Sequence, residues 1–225
     1  RWWEDETAYD NLISILSHVD SVFFSGGEPL IVPETTKIIE SLSPSTHIRI
    51  NTNLTMLTDR FLDAIQRFDR VEIIASLEGV GKHNDYVRYP SRWEKIHSNI
   101  QKLKSLSNVQ LSIHHVLQHT SLYVLPDFLQ YITEQELSVH FSEIYYGSLP
   151  SPGVLSLDSA PVSDIEQFRN WYATSKYNYP MLDQWISKHN YNNNLHEKFK
   201  TYMRTLDIVR NINFDQTFEV SFSVH

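Results

Sequence analysis

The feature that most constrains this chain is the regular alternation of short β-rich runs with helical patterns over its first two-thirds. Five runs bounded by turn or polar residues read as strands: Ser21 to Ser25, His47 to Asn51, Arg70 to Ser76, Val109 to Val116 and Leu137 to Ile144. Helical patterns lie between them. The first spans roughly Glu4 to Ser17, on Trp2, Trp3, Tyr9, Leu12, Ile13 and Leu16. The second starts at Pro33, whose fixed φ suits a first turn, and runs to Leu42. The third follows Thr58 through Phe61, Leu62, Ile65 and Phe68. In the fourth, Ser91 and Glu94 have capping-box spacing, and Trp93, Ile96, Ile100 and Leu103 then share one face. A fifth is predicted from about Pro126 to Glu134. Strands separated by helices pair parallel through right-handed crossovers, which leaves a barrel, a partial barrel or a doubly wound sheet.

After Ile144 the rhythm stops. Gly147 to Pro161 carries three of the nine prolines and two of the six glycines, and reads as a long loop over one end of the sheet. Helical patterns return without clear strands: Ser163 and Glu166 form a second possible capping box, and Leu195 to Val209 is amphipathic. Phe218 to Val224 alternates apolar and polar residues, as a strand or a frayed end would. The expected division is a barrel part over residues 1–150 and a helical tail packed on it over residues 151–225.

Composition excludes several functions. A net charge of -8 with no dense Lys/Arg tract argues against a grip on nucleic-acid backbones. The longest apolar runs are too short to span a bilayer, and no charged-then-apolar leader opens the sequence, so no membrane partner is expected and cytoplasmic is the default placement. With no cysteine there is no disulfide, thiolate metal site or Cys nucleophile.

The six glycines mark one face. Gly26 and Gly27 follow the first predicted strand, Gly79 and Gly81 the third, Gly147 and Gly153 the fifth. In parallel α/β folds the loops at the carboxyl ends of strands form the ligand site, and glycine lets the backbone approach a ligand closely.

The segment Phe23-Phe24-Ser25-Gly26-Gly27-Glu28-Pro29-Leu30 puts two glycines and a carboxylate at the end of a strand. It resembles the GGE motif of the radical S-adenosylmethionine (SAM) superfamily, which binds the amino group of SAM. Glu28 suits an ammonium as a charge-assisted acceptor. Further matches follow in the family's order at the ends of successive strands. Asn51-Thr52-Asn53-Leu54-Thr55 is similar to the family's "TNGT" segment, and Ser76-Leu77-Glu78-Gly79 to its "SIDG" segment, with Glu replacing Asp. Asn84-Asp85-Tyr86-Val87-Arg88 resembles its "ND-x-x-R", and the likeness continues through Ile96. The nearest resemblance is to the twitch-domain type, over most of residues 1–150, with weaker echoes near Leu206 to Arg210.

The resemblance implies an α/β fold, a partial (β/α) TIM-like barrel of parallel strands lacking its first strand, with a C-terminal helical tail. It implies a cofactor site for SAM on Gly26, Gly27, Glu28, Pro29, Asn51, Asn53, Ser76, Glu78, Arg88 and Gln118. Ser76 and Glu78 would meet the ribose or methionyl part, and Arg88 would pair bidentately with the carboxylate. Asn51 and Asn53 either line the pocket floor or cap the turn, and Arg88 has an ion pair with Asp85 as its plain alternative.

In the family, a loop after the first strand carries C-x-x-x-C-x-x-C, whose thiolates hold a 4Fe-4S cluster that cleaves SAM to a 5'-deoxyadenosyl radical. That loop would precede the helix at Glu4 to Ser17, so the expectation is an N-terminally truncated chain whose parent protein holds the cluster and draws on an external electron donor. The substrate is left open. Loss of the first strand would expose the edge at Ser21 to Ser25 to dimerisation. Two other classes compete. One is a degenerate, non-catalytic nucleoside-binding or protein-interaction module, using the aromatics Trp171, Tyr172, Tyr177, Tyr179, Trp185 and Tyr191, for which core packing is the plainer reading. The other is a metal hydrolase built on His114, His115 and His119, disfavoured because His114 and His115 point to opposite faces of a strand.

Overall fold

The computed structural model describes residues 5–16, 18–144 and 152–218. Trp2, Trp3, both ends of the predicted first helix, Gly147 and most of the 218–224 alternation lie outside the described residues. One sheet holds five parallel strands, β1 (Ser21–Phe24), β2 (His47–Thr52), β3 (Val71–Ser76), β4 (Val109–Leu117) and β5 (Ser138–Glu143), in the order β1-β2-β3-β4-β5. Each strand lies beside the next in sequence, the order of a barrel wall and not of a doubly wound sheet, so the fold is a partial α/β barrel with a helical C-terminal part. All five strands fall within a residue or two of their predicted bounds. The chain divides into two compact units, Arg1–Ser76 with Glu94–Ile113, and Leu77–Trp93 with His114–His225.

In the first unit, β2 and β3 bury alternate residues, and the parallel register sets Ile48 beside Val71, Ile50 beside Ile73 and Thr52 beside Ala75. Ile48, Ile50, Val71 and Ile73, with the small Ala75, are fully buried, as β-branched and apolar residues on a covered sheet face should be. Helix α1 (Glu6–Leu16) leads into β1, while α2 (Pro33–Ser41) connects β1 to β2 and α3 (Asp59–Ile65) connects β2 to β3, with Pro33 in the first turn of α2 as expected. Their ends are closed by named side chains. Thr58 Oγ1 accepts the Phe61 N–H at the start of α3, Arg67 Nη2 donates to the Ile39 and Leu42 carbonyls after α2, and Asn108 Nδ2 donates to Ile65 and Phe68. Helix α3 stops at Ile65, three residues short of the predicted Phe68. Helix α5 (Trp93–Lys104) buries Ile96, Ile100 and Leu103, the stripe read from the sequence.

In the second unit a short helix α4 (Gly81–Val87) appears that periodicity did not suggest. Seven residues opening on glycine carry little helical signal. Ser91 Oγ turns to Asp85 and Asn84, so it does not act as the expected cap of α5. Helix α6 (Ser121–Glu134) begins five residues before Pro126, which sits inside the helix near its start. The tail contains α7 (Val162–Thr174), α8 (Pro180–Ser187), α9 (Asn193–Arg210) and α10 (Phe214–Phe218). Ser163 lies inside α7, its hydroxyl on Asp164, so the second capping box does not form. A core of Tyr86, Val124, Val154, Phe199, Met203, Phe214 and Phe218 joins α4, α6, α9 and α10. Tyr86 Oη donates to Asp207 at 2.7 Å, and Arg210 Nη1 donates to the Tyr86 carbonyl at 2.8 Å. Tyr172 and Trp185 are buried, so these tail aromatics serve packing. No described helix is long and apolar enough to cross a membrane.

Candidate functional site

In the first unit the predicted residues gather where β1 and β2 end. Gly26 and Gly27 have φ of +91° and +43°, a backbone that side chains resist, and a Cβ on either would meet open space. The glycines are required by conformation, and the room above them remains open to a ligand. They turn the chain so that Glu28 caps the 3-10 turn Pro29–Ile31, with Pro29 buried in its first position. Glu28 Oε1 accepts from Thr52 Oγ1 at 2.7 Å and from the Leu30 N–H at 3.2 Å, and Oε2 accepts from the Asn53 N–H at 2.6 Å. Three donors from two strand ends therefore aim one half-buried carboxylate. Asn53 Oδ1 accepts from both the backbone N–H and the hydroxyl of Thr55, the turn-capping role weighed above. Asn51 carries a buried Oδ1 with no hydrogen-bond partner, and Ser76 ends β3 half-buried.

Sequence reasoning missed what holds this turn. Leu54 stands at φ +56°, and Asn99 Nδ2, buried on α5, donates to its carbonyl at 2.8 Å. The polar Asn99 in the otherwise apolar stripe of α5 was the available signal.

In the second unit Glu78 and Arg88 are paired, Nη2 donating to Oε1 at 2.7 Å. Arg88's partner is thus Glu78, while Asp85 accepts from Ser91 Oγ. The Glu78 side chain is 6% exposed and its other oxygen accepts the Val116 N–H at 3.0 Å. Its backbone N–H donates to Oδ1 of Asn84, a fully buried residue on α4. Arg88 is the C-cap of α4, its own N–H donating to the Asn84 carbonyl at 2.8 Å, so one helical turn fixes both members of the pair. Burial raises the Glu78 pKa to about 7, although the Arg88 charge, the Arg88 hydrogen bond and the Val116 N–H each oppose the rise. Arg88 Nε is buried and has no partner. Gln118 is buried beyond β4, its backbone N–H on Ser121 Oγ.

The histidines do different work from a metal site. His115 is buried with Nε2 3.0 Å from Ser121 Oγ, and burial, then the Arg88 charge, lowers its pKa to about 3. His119 is buried against Phe199, 3.9 Å between ring centroids, with Nδ1 on Ser159 Oγ and Nε2 on Tyr123 Oη. Burial holds His119 far below the usual imidazole range. Among the described residues no His/Cys/Asp/Glu group has metal-binding geometry. Nor does the chain offer a thiolate for an iron-sulfur cluster, since none of its 225 residues is cysteine. That group does not fit these residues. The polar groups left unsatisfied suit an amino-acid ligand better: the first unit presents an oriented carboxylate, uncovered glycines and the orphaned Asn51 Oδ1, and the second the orphaned Arg88 Nε.

Two cavities lie in the second unit. One of about 520 Å³ lies in the helical tail beside Arg169, Tyr172 and Tyr177. Another of about 180 Å³ sits beside Leu117, Glu143 and Ile144, at the carboxyl ends of β4 and β5.

Comparison with known proteins supplies the family. The model of the radical SAM superfamily matches residues 5–122, more than half of the chain. No curated protein matches by sequence. Among solved structures, SuiB of Streptococcus suis bound to S-adenosylmethionine superposes with a TM-score of 0.50 at 14% identity, over 68% of this chain and 34% of SuiB. The protein anSMEcpe, bound to AdoMet and a Cp18Cys peptide, gives 0.52 at 16% identity, over 75% of this chain and 51% of its own. The chain thus spans a third to a half of the length of these structures, which carry the fold. With the family model over β1 to β4 and the sequential parallel strand order in agreement, this chain belongs to the radical SAM superfamily.

Proposed function

We propose that this chain binds S-adenosyl-L-methionine, with Arg88 of the second unit taking its carboxylate; in the first unit Glu28, with the Gly26 and Gly27 carbonyls, offers acceptors suited to an ammonium. Asn51, Ser76 and Gln118 contribute to the methionyl and ribose surroundings, and Asn53 acts through Glu28. The observation that carries this reading is the unpartnered Nε of Arg88, a buried cationic donor whose Nη2 is already anchored on Glu78. A carboxylate meets the unmet side of such a fork, and a planar guanidinium recognises it bidentately. When bound, SAM supplies an electrophilic sulfonium for reductive cleavage. The residues described here bind and orient it and contribute no electron. The substrate is left open.

Calorimetry with SAM and with S-adenosylhomocysteine tests the proposal. Both are expected to bind, and Arg88→Ala to weaken each by roughly 10- to 100-fold, the loss of a charge-assisted pair. Lack of binding by the wild type, or equal binding by Arg88→Ala, would sink it.

A further inference from the structure

Arg88 serves two anions on the reading above, on which this inference rests, and only one of them is in place. Glu78 occupies Nη2 at 2.7 Å. An incoming carboxylate taken by the same guanidinium comes to lie within a few ångströms of Glu78, inside protein where the field between two like charges is weakly screened. Glu78 is buried beside α4 and β4, so water does little to screen the repulsion.

We propose that a ligand carboxylate docks on Arg88 together with one proton taken up from solvent by Glu78. The carboxylate oxygen of Glu78 becomes a hydroxyl; no other bond is made or broken. As an acid, Glu78 keeps the Val116 N–H on Oε2 and can donate from Oε1, so the pair changes from guanidinium-carboxylate to guanidinium shared with the ligand.

The titratable and charged groups around Glu78 favour it as the acceptor. Arg88 faces it from the end of α4. From β4, His115 Nδ1 stands 3.9 Å from Oε2. His115 Nε2 lies 3.0 Å from Ser121 Oγ, and burial, then the Arg88 charge, opposes a second proton on the ring. Burial, then Arg88 and His140, lowers the pKa of His114, next on β4, as well. Glu78 is the one whose ordinary protonation already lies near neutrality, so a small added repulsion is enough to fill it.

The test is calorimetry of SAM binding near pH 7.5 in two buffers of different ionisation heat, with the wild type and Glu78→Gln. The wild type is expected to take up roughly 0.3–0.7 proton per SAM, and its affinity to rise several-fold from pH 8 to 6.5. Glu78→Gln, which carries the uncharged form permanently, is expected to take up none beyond the ammonium's own titration, and to bind at least as tightly at pH 8. Buffer-independent heats in the wild type overturn the proposal even if the variant does not fold, and so does undiminished uptake in Glu78→Gln, which places the proton elsewhere. If the wild type binds no SAM, the SAM reading itself fails. If it binds without uptake, that reading stands and only this inference falls.

Discussion

Replacing Glu28 is the most informative perturbation of the strand-end turn, because one side chain organises three donors. In Glu28→Ala, Thr52 Oγ1, the Leu30 N–H and the Asn53 N–H lose their acceptor together. A hydrogen bond contributes about 0.5–1.5 kcal/mol net, and more when the acceptor is charged. Glu28 is half-buried, so water can reach part of the turn and the lower figures apply. Three such bonds come to roughly 2–4 kcal/mol. Glu28→Gln keeps one carbonyl oxygen but turns an amide NH2 toward a donor, either Asn53 N–H or the Thr52 and Leu30 pair, for a loss of about 1–2 kcal/mol. Urea unfolding followed by circular dichroism measures both. SAM binding separates structure from recognition: both variants lose the ammonium's charged partner, so both are expected to bind poorly although their stabilities differ. A loss below about 0.5 kcal/mol for Glu28→Ala would refute the claim that these contacts hold the turn.

Other perturbations follow the same reasoning. Glu78 has a folded pKa above its unfolded value, so its protonation stabilises the fold below about pH 4.5, and this is lost as pH rises through about 7. Glu78→Gln should therefore gain stability relative to wild type across that pH range, by roughly 3 kcal/mol in paired urea titrations, and a flat difference would contradict the buried assignment. His115 carries the opposite slope: its neutral state stabilises the fold above about pH 6.5, and this is lost as pH falls toward about 3. Tyr123→Phe removes the hydroxyl that bridges His119 Nε2 and Asp164 Oδ2, leaving a buried ring nitrogen unsatisfied, for a loss of about 1–3 kcal/mol by thermal or urea unfolding. Asn99→Ala should release the Leu54 carbonyl, lower stability by a similar amount and weaken SAM binding, whereas an exposed change such as Lys102→Ala should do neither.

How much of this was legible in the sequence follows from how local each signal is. The five strands were legible because β-branched and aromatic residues are concentrated in runs with polar bounds, as at Ile48, Ile50, Val71 and Ile73. The position of Gly26, Gly27 and Glu28 at a strand end was legible for the same reason. Helix α4 was not, since its stability comes from Asn84 and Tyr86 reaching distant partners and not from propensity. The start of α6 was misplaced because proline suits a first position, whereas Pro126 sits one turn further in, where it gives up the bond an N–H would make to the Leu122 carbonyl. The Glu78–Arg88 pair joins residues ten apart through the helical turn that periodicity did not reveal, so the sequence offered the nearer Asp85 instead. Asn53 presented two readings of equal weight, and only the geometry at Thr55 assigns it to the turn.

The most direct measurement is a crystal structure of this chain grown with S-adenosylhomocysteine. The result expected is a ligand carboxylate on the Arg88 guanidinium beside Glu78. A nucleoside bound away from Arg88, or Arg88 Nε closed off by a protein acceptor with the ligand absent, would contradict it.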